Sequence, residues 1–154
     1  MDLLKSVKRV LSIQELRQAE YNKLRSVHGN YTSHTVSLSD YQKAMAEITT
    51  AFQSLSRETI QLSAVIRDHS LPQAAQVLDR IQAVEKVKLT LTAEWQVLVA
   101  VEIGDEEFDQ AEHTHKQKIL RQKLARVEGE IAELVQDFRY ECEHILVSAM
   151  DHIS

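Results

Sequence analysis

One uninterrupted periodicity limits what this chain can become. Tyr41, Met45, Ile48, Phe52, Leu55, Thr59, Leu62 and Ile66 follow one another at alternating steps of four and three. That spacing brings each side chain back to the same edge of an α-helix, so the edge stays against its neighbours along the whole stretch. No Gly or Pro interrupts it. Ser39 and Gln42 have the spacing of a capping box, which predicts a helix starting near Asp40 and running to Asp68. Such a helix is about 43 Å long at a rise of about 1.5 Å per residue. Its charges are few before Arg67, chiefly Lys43, Glu47, Arg57 and Glu58, so neighbours must cover more than one face. Burying a side chain the size of Leu or Phe contributes about 1.5–3 kcal/mol as an upper value. Met45, Ile48, Phe52, Leu55 and Leu62 are therefore predicted core.

Composition narrows the class further. The chain of 154 residues is long enough for one domain, residues 1–154, with a core that needs no metal or disulfide staple. Three Gly, one Pro and 5% aromatic residues supply little material for tight turns or sheets, which predicts an all-α fold. The single cysteine, Cys142, cannot form an internal disulfide, and the opening Met1 to Lys8 lacks the apolar run of a secretory signal. An intracellular protein is expected, and the sequon at Asn30 to Thr32 reads as accidental. No apolar run is long enough to span a bilayer, so no membrane association is expected. The net charge of −5 argues against attraction to nucleic acid over the whole surface, while leaving room for a local basic patch.

Three further helical stretches flank the central one. Residues 3 to about 31 carry a looser edge of Leu3, Val7, Val10, Ile13, Leu16, Leu24, Val27 and Tyr31, and Gly29 with the polar residues after it marks the first connection. Ser70 and Gln73 repeat the capping-box spacing around Pro72, so a very short turn must fold the next helix back as an antiparallel hairpin. That third helix places Val77, Ile81, Val84, Leu91, Trp95 and Leu98 on one edge, broadened by Leu78, Leu89 and Val97. Residues 104–118 are the most polar stretch and read as a hinge, a loop or a solvated helix start. From Leu120 the seam returns at Leu124, Val127, Ile131, Leu134, Phe138, Cys142, Ile145 and Ala149. The expected architecture is four long helices in an antiparallel up-and-down bundle or coiled-coil-like helical hairpins, with the fourth helix longest. Trp95, Leu124, Ile131, Leu134 and Phe138 complete the predicted core.

Residues capable of chemistry are present but poorly assembled. Glu112 to His115 and Glu141 to His144 each have the Glu-x-x-His spacing of di-iron bundle sites. Both lie on one predicted helix, far apart along its axis, so no metal site is expected. Cys142 sits on the seam and reads as a small buried apolar side chain. No Gly-rich phosphate loop or recognisable nucleophile–base arrangement occurs; no catalytic residue, cofactor or small-molecule substrate is expected. Lys116, Lys118, Arg121, Lys123 and Arg126 place five positive charges in eleven residues. They are the candidate phosphate or DNA contacts, with Lys5, Lys8 and Arg9 as a second candidate patch. The five point in several directions around a helix, as residues of a solvated surface do.

Arg17, Tyr21, Leu24, His28 and Tyr31, then Tyr41, Glu47, Phe52 and Ser56 to Glu58, then Gln136 to Tyr140, together resemble the required-for-excision 1-B domain proteins. The resemblance covers nearly the whole chain in the same order. It implies a non-catalytic accessory role in DNA excision repair, in the nucleus; the expected mode of action is an adaptor working through helical protein contacts, with weak DNA contact through the basic segment as an option. The alternative reading is a coiled-coil scaffold subunit of another intracellular assembly, cytoskeletal or ciliary. Within these motifs Arg57, Glu58, Asp137 and Arg139 are charged residues beside seam positions, suited either to interhelical ion pairs that set register or to partner docking.

Overall fold

The computed structural model describes residues 2–104 and 110–151, and the side chains of residues 2–98 and 110–148. All regular structure among them is helical: α1 Leu3–Thr32, α2 Leu38–Asp68, α3 Pro72–Gly104, α4 Gln110–Glu141 and α5 Glu143–Asp151. Caps set the boundaries. The Asp2 carboxylate accepts from the Leu4 amide at 3.1 Å, and the Ser37 hydroxyl accepts from the Asp40 amide at 3.1 Å. Each satisfies one of the free donors of a first turn. α2 therefore starts two residues before the expected Ser39 capping box, with Asp40 inside its first turn.

Both hairpin turns close by the same hydrogen-bond pattern. At the end of α1, His34 N donates to Tyr31 O at 3.1 Å and Thr35 N to Asn30 O at 2.9 Å. At the end of α2, Ser70 N donates to Arg67 O at 3.1 Å and Leu71 N to Ile66 O at 3.4 Å. These are Schellman closures, which take up otherwise orphaned carbonyls. The residue that turns the chain is His34 (φ 62) in one and Ser70 (φ 64) in the other. Gly29, expected to mark the connection, lies inside α1, and Ser70 is a turn residue rather than the cap of α3. Pro72 opens α3, where a missing N–H costs nothing.

Contacts along the chain run in antiparallel order. Arg9, Tyr21 and His28 of α1 meet Glu58, Phe52 and Tyr41 of α2. Arg80, Lys88 and Trp95 of α3 meet Glu130, Glu128 and Arg121 of α4. One core joins Val7, Val10 and Ile13 to Leu55, Leu62, Ile66, Leu78, Ile81, Leu134, Phe138 and Cys142. A smaller cluster of Tyr21, Leu24, Ile48 and Phe52 seals α1 to α2 beyond it.

Several expectations change here. Met45, Trp95, Leu124 and Ile131 are half-buried; the last three line hollows between α1 and α4. Leu16, Leu89 and Val97 are exposed. On α1 the buried edge passes from Ile13 to Arg17 instead of Leu16, then to Tyr21, Leu24 and His28. Of the polar stretch 104–118, residues 110–118 are helical, and 105–109 lie outside the described residues. The fourth helix is not the longest. α4 has 32 residues against 33 in α3, and it breaks at Cys142 before α5. Cys142 N is shared between Phe138 O at 3.1 Å and Arg139 O at 3.2 Å, which tightens the last turn of α4. The break lets α5 pack against α1.

Candidate functional site

α4 lies along α3, and α1 lies along α2, but α1 and α4 stand apart for much of their length. A cleft of about 520 Å³ results, with α1 as one wall, α4 as the other and α3 beneath. Arg17, Tyr21 and Arg25 line it from α1, Glu85 and Lys88 from α3, and Glu128 and Arg139 from α4. The first three recur at steps of four, and Glu85 and Lys88 are three apart, so each set shares one helical face.

Its floor is unusually polar for a helical interior. Arg17, only 2% exposed, donates through Nη2 to Thr59 Oγ1 of α2 at 3.3 Å and to Gln82 Oε1 of α3. With the Gln14 amide oriented to satisfy its neighbours, its oxygen accepts from Arg17 Nη1 at 3.0 Å and its nitrogen donates to Glu85 Oε1 at 3.2 Å. A buried cation is tolerated when hydrogen bonds and a nearby opposite charge replace water; Arg17 has these three hydrogen bonds and the charge of Glu85. Burial lowers the guanidinium's pKa, and the charge of Glu85 opposes that shift. Burial raises Glu85 above the usual carboxylate range, opposed by Arg17 and then Lys88. Burial also lowers Lys88, opposed by Glu85 and Glu128. The Lys88 ammonium sits 3.9 Å from the centroid of the Tyr21 ring and 3.9 Å from Glu128 Oε1. The Tyr21 hydroxyl is pushed upward by burial, then by Glu85.

Several residues of the family-like pattern gather on the α1–α2 contact. Tyr21 and Phe52 have ring centroids 4.7 Å apart, Tyr31 stacks on Tyr41 at 4.3 Å, and His28 Nδ1 lies 3.1 Å from the Tyr41 hydroxyl. Glu58 forms a two-point pair with Arg9, at 2.8 Å and 2.9 Å. Arg9 therefore leaves the candidate patch with Lys5 and Lys8, and its pKa rises through the hydrogen bond to Glu58. The pair is over a third exposed on both sides and contributes about 0.2–1 kcal/mol. Arg57, Asp137 and Arg139 make no ion pair among the described residues. Arg139 instead lines the cleft, and Asp137 lines a shallow hollow between α3 and α4.

All five residues of the basic segment lie exposed on α4. Lys116 pairs with Glu112 at 3.1 Å, and the Arg121 guanidinium lies 5.1 Å from the Trp95 ring centroid. Lys116 and Lys123 flank a mostly apolar hollow of about 640 Å³ between α3 and α4, which holds the exposed Val97 and Ile119. Lys118 and Arg126 point elsewhere and line none of these hollows. The segment is not one stripe. Among the described residues, no three or more His, Cys, Asp or Glu side chains gather at metal-binding distance. Cys142 is fully buried, and burial pushes its thiol up to about 11, far from a reactive thiolate. No helix among the described residues is long and apolar enough to cross a membrane.

Of the residues lining the cleft, Arg17, Tyr21, Gln136 and Arg139 carry the family resemblance and Ile131 is a predicted core residue, while nothing in the sequence reading singles out Glu85. Lys88 and Glu128 were missed. The available signal was Glu85 and Lys88 at helical spacing between the apolar Val84 and Leu91.

An all-helical protein with a charged cleft and an aromatic seam between its first two helices is the class this geometry defines. The family model for DNA repair REX1-B matches residues 5–99, nearly the whole of α1 to α3, and the chain belongs to that family. It is similar to a required for excision 1-B domain-containing protein of Bos taurus, 26% identical over 140 residues covering 89% of this chain and 75% of the relative. A protein of the same description from Mus musculus is 26% identical over 143 residues, covering 89% and 79%. No solved structure matches the chain.

Proposed function

We propose that the chain is a non-catalytic accessory protein of DNA excision repair, acting in the nucleus through helical protein contacts. Family membership over α1 to α3 carries this reading. The four long helices act as an antiparallel up-and-down bundle, a rigid body that presents surfaces. The hollow holding Val97, 65% exposed, and Ile119 supports an adaptor role, since exposed apolar side chains in a depression favour a partner's apolar anchors. Lys116 and Lys123 on its border match a partner helix whose apolar face is edged by acidic residues.

DNA contact is secondary. Cells lacking the protein are expected to become sensitive to ultraviolet light, and wild-type chain to restore resistance. A folded Val97→Asp, Ile119→Asp variant is expected not to restore it. Unchanged ultraviolet sensitivity would remove the repair reading, and full rescue by the variant would remove the hollow from it. Labelled duplex is expected to bind weakly if at all near physiological salt. Three to five contacts from the basic segment give a log–log salt slope of roughly −3 to −4.5. Tight binding that survives high salt would contradict an adaptor that works through protein contacts.

A further inference from the structure

The charged cleft does not end at Lys88. It continues between α1 and α4 into a second hollow of about 310 Å³, which shares Tyr21, Arg25, Lys88 and Glu128 with the first and is walled by Thr92, Trp95, Leu124 and Arg121, the last with its guanidinium 5.1 Å from the Trp95 ring centroid. Lys88 stands where the two meet. The residue is 7% exposed, yet the ammonium makes no hydrogen bond among the described residues, and its nearest carboxylate, Glu128, is 3.9 Å away. That exceeds hydrogen-bonding distance. An ammonium carries three donors; that of Lys88, above the Tyr21 ring and 3.9 Å from Glu128, spends none of them on a hydrogen bond among the described residues and is open to the cleft. Here they face a space of the size that holds small ligands.

Charge selects the ligand. Arg17, Arg25, Lys88 and Arg139 face Glu85 and Glu128 across the cleft, four cations against two carboxylates. Arg17 contributes chiefly its charge, since three of its five donors are taken by Thr59, Gln82 and Gln14. Lys88 has donors to offer, and Arg25 stands exposed beside it on the α1 wall. Arg121 on the wall of the adjoining hollow adds a fifth cation, and this positive excess complements a doubly negative group. The adjoining hollow, with Trp95 and Leu124, offers an apolar wall for the body that carries it.

We propose that the α1/α4 cleft binds a small organic phosphate monoester. The phosphate sits at Lys88 and Arg25, and an apolar or planar body lies against Thr92, Trp95 and Leu124. This site is separate from the α3/α4 hollow of the adaptor reading, and neither depends on the other.

Trp95 is the single tryptophan of the chain, so its emission reports occupancy directly. Phenyl phosphate titrated into the full chain should change that emission saturably, and should bind about tenfold more tightly than inorganic phosphate or benzoate, each of which fills only half the site. Lys88→Met, which keeps the length of the side chain and removes its charge, should abolish saturation while leaving the helical circular dichroism unchanged. Glu128→Gln should tighten binding several-fold by removing the carboxylate that competes for Lys88. It serves as the decisive variant if Lys88→Met fails to fold. Absence of a saturable change, benzoate binding as tightly as phenyl phosphate, retained binding in Lys88→Met, or no tightening in Glu128→Gln would each overturn the assignment.

Discussion

Ser70 and His34 hold left-handed backbone conformations that side chains with a Cβ resist by about 1–2 kcal/mol. Both are exposed, and neither turn draws its closure from the side chain at that position. Ser70→Gly is therefore expected to raise stability by about 1 kcal/mol in urea denaturation, less whatever glycine adds to unfolded-state entropy. A loss would show that the Ser70 hydroxyl matters to the turn. His28 tests a different balance. Its Nδ1 is 3.1 Å from the Tyr41 hydroxyl, its Nε2 is buried without a partner, and burial lowers its pKa. The unfolded chain then takes up a proton more readily than the folded one. The neutral imidazole's contribution is present above the unfolded pKa near 6.5 and is lost as pH falls through the lower folded value. His28→Gln should lose less stability than wild type when denaturation is compared just above and well below pH ~6.5. Equal losses would show that protonation of His28 is not resisted by the fold.

Among the helices, α2 follows its pattern most faithfully. Ile48, Phe52, Leu55, Thr59, Leu62 and Ile66 are all buried, because neighbours lie against the same edge throughout. Phe52→Ala should cost about 3–5 kcal/mol, while Ile60→Ala, 59% exposed on the same helix, should stay within about 0.5 kcal/mol. Equilibrium denaturation of the two variants checks the contrast, and similar losses would deny α2 its buried edge. α1 was less legible. Hydrophobicity favoured Leu16, yet Arg17 is the buried neighbour, since Thr59, Gln82 and Gln14 supply partners that sequence cannot reveal in advance. α4 kept its seam to Phe138 but turned at Cys142, a break that no Gly or Pro announces.

For the molecule as a whole, Arg17 joins three helices through one guanidinium. Arg17→Met is expected to cost about 3–5 kcal/mol, because it strands Glu85 and leaves Gln82 without its charged partner. Adding Glu85→Gln should recover part of that loss, and a double-mutant cycle measures the coupling. Strictly additive losses would show that the two side chains are not linked across the cleft. The helical class, the hairpin order and the heart of the core were readable from sequence alone. They rest on local periodicity and on short connections, which allow few alternatives. Family resemblance was readable too, and Tyr21, His28, Tyr31, Tyr41, Phe52 and Glu58 among its residues join α1 to α2. Only the tertiary structure decided that α1 and α4 stand apart, that Arg17, Glu85 and Lys88 meet between them, and that Lys116 and Lys123 border the α3–α4 hollow while Arg121 lies over Trp95. Those facts depend on which helices pack and how far they lie from one another, and a pattern along one helix carries no record of that distance.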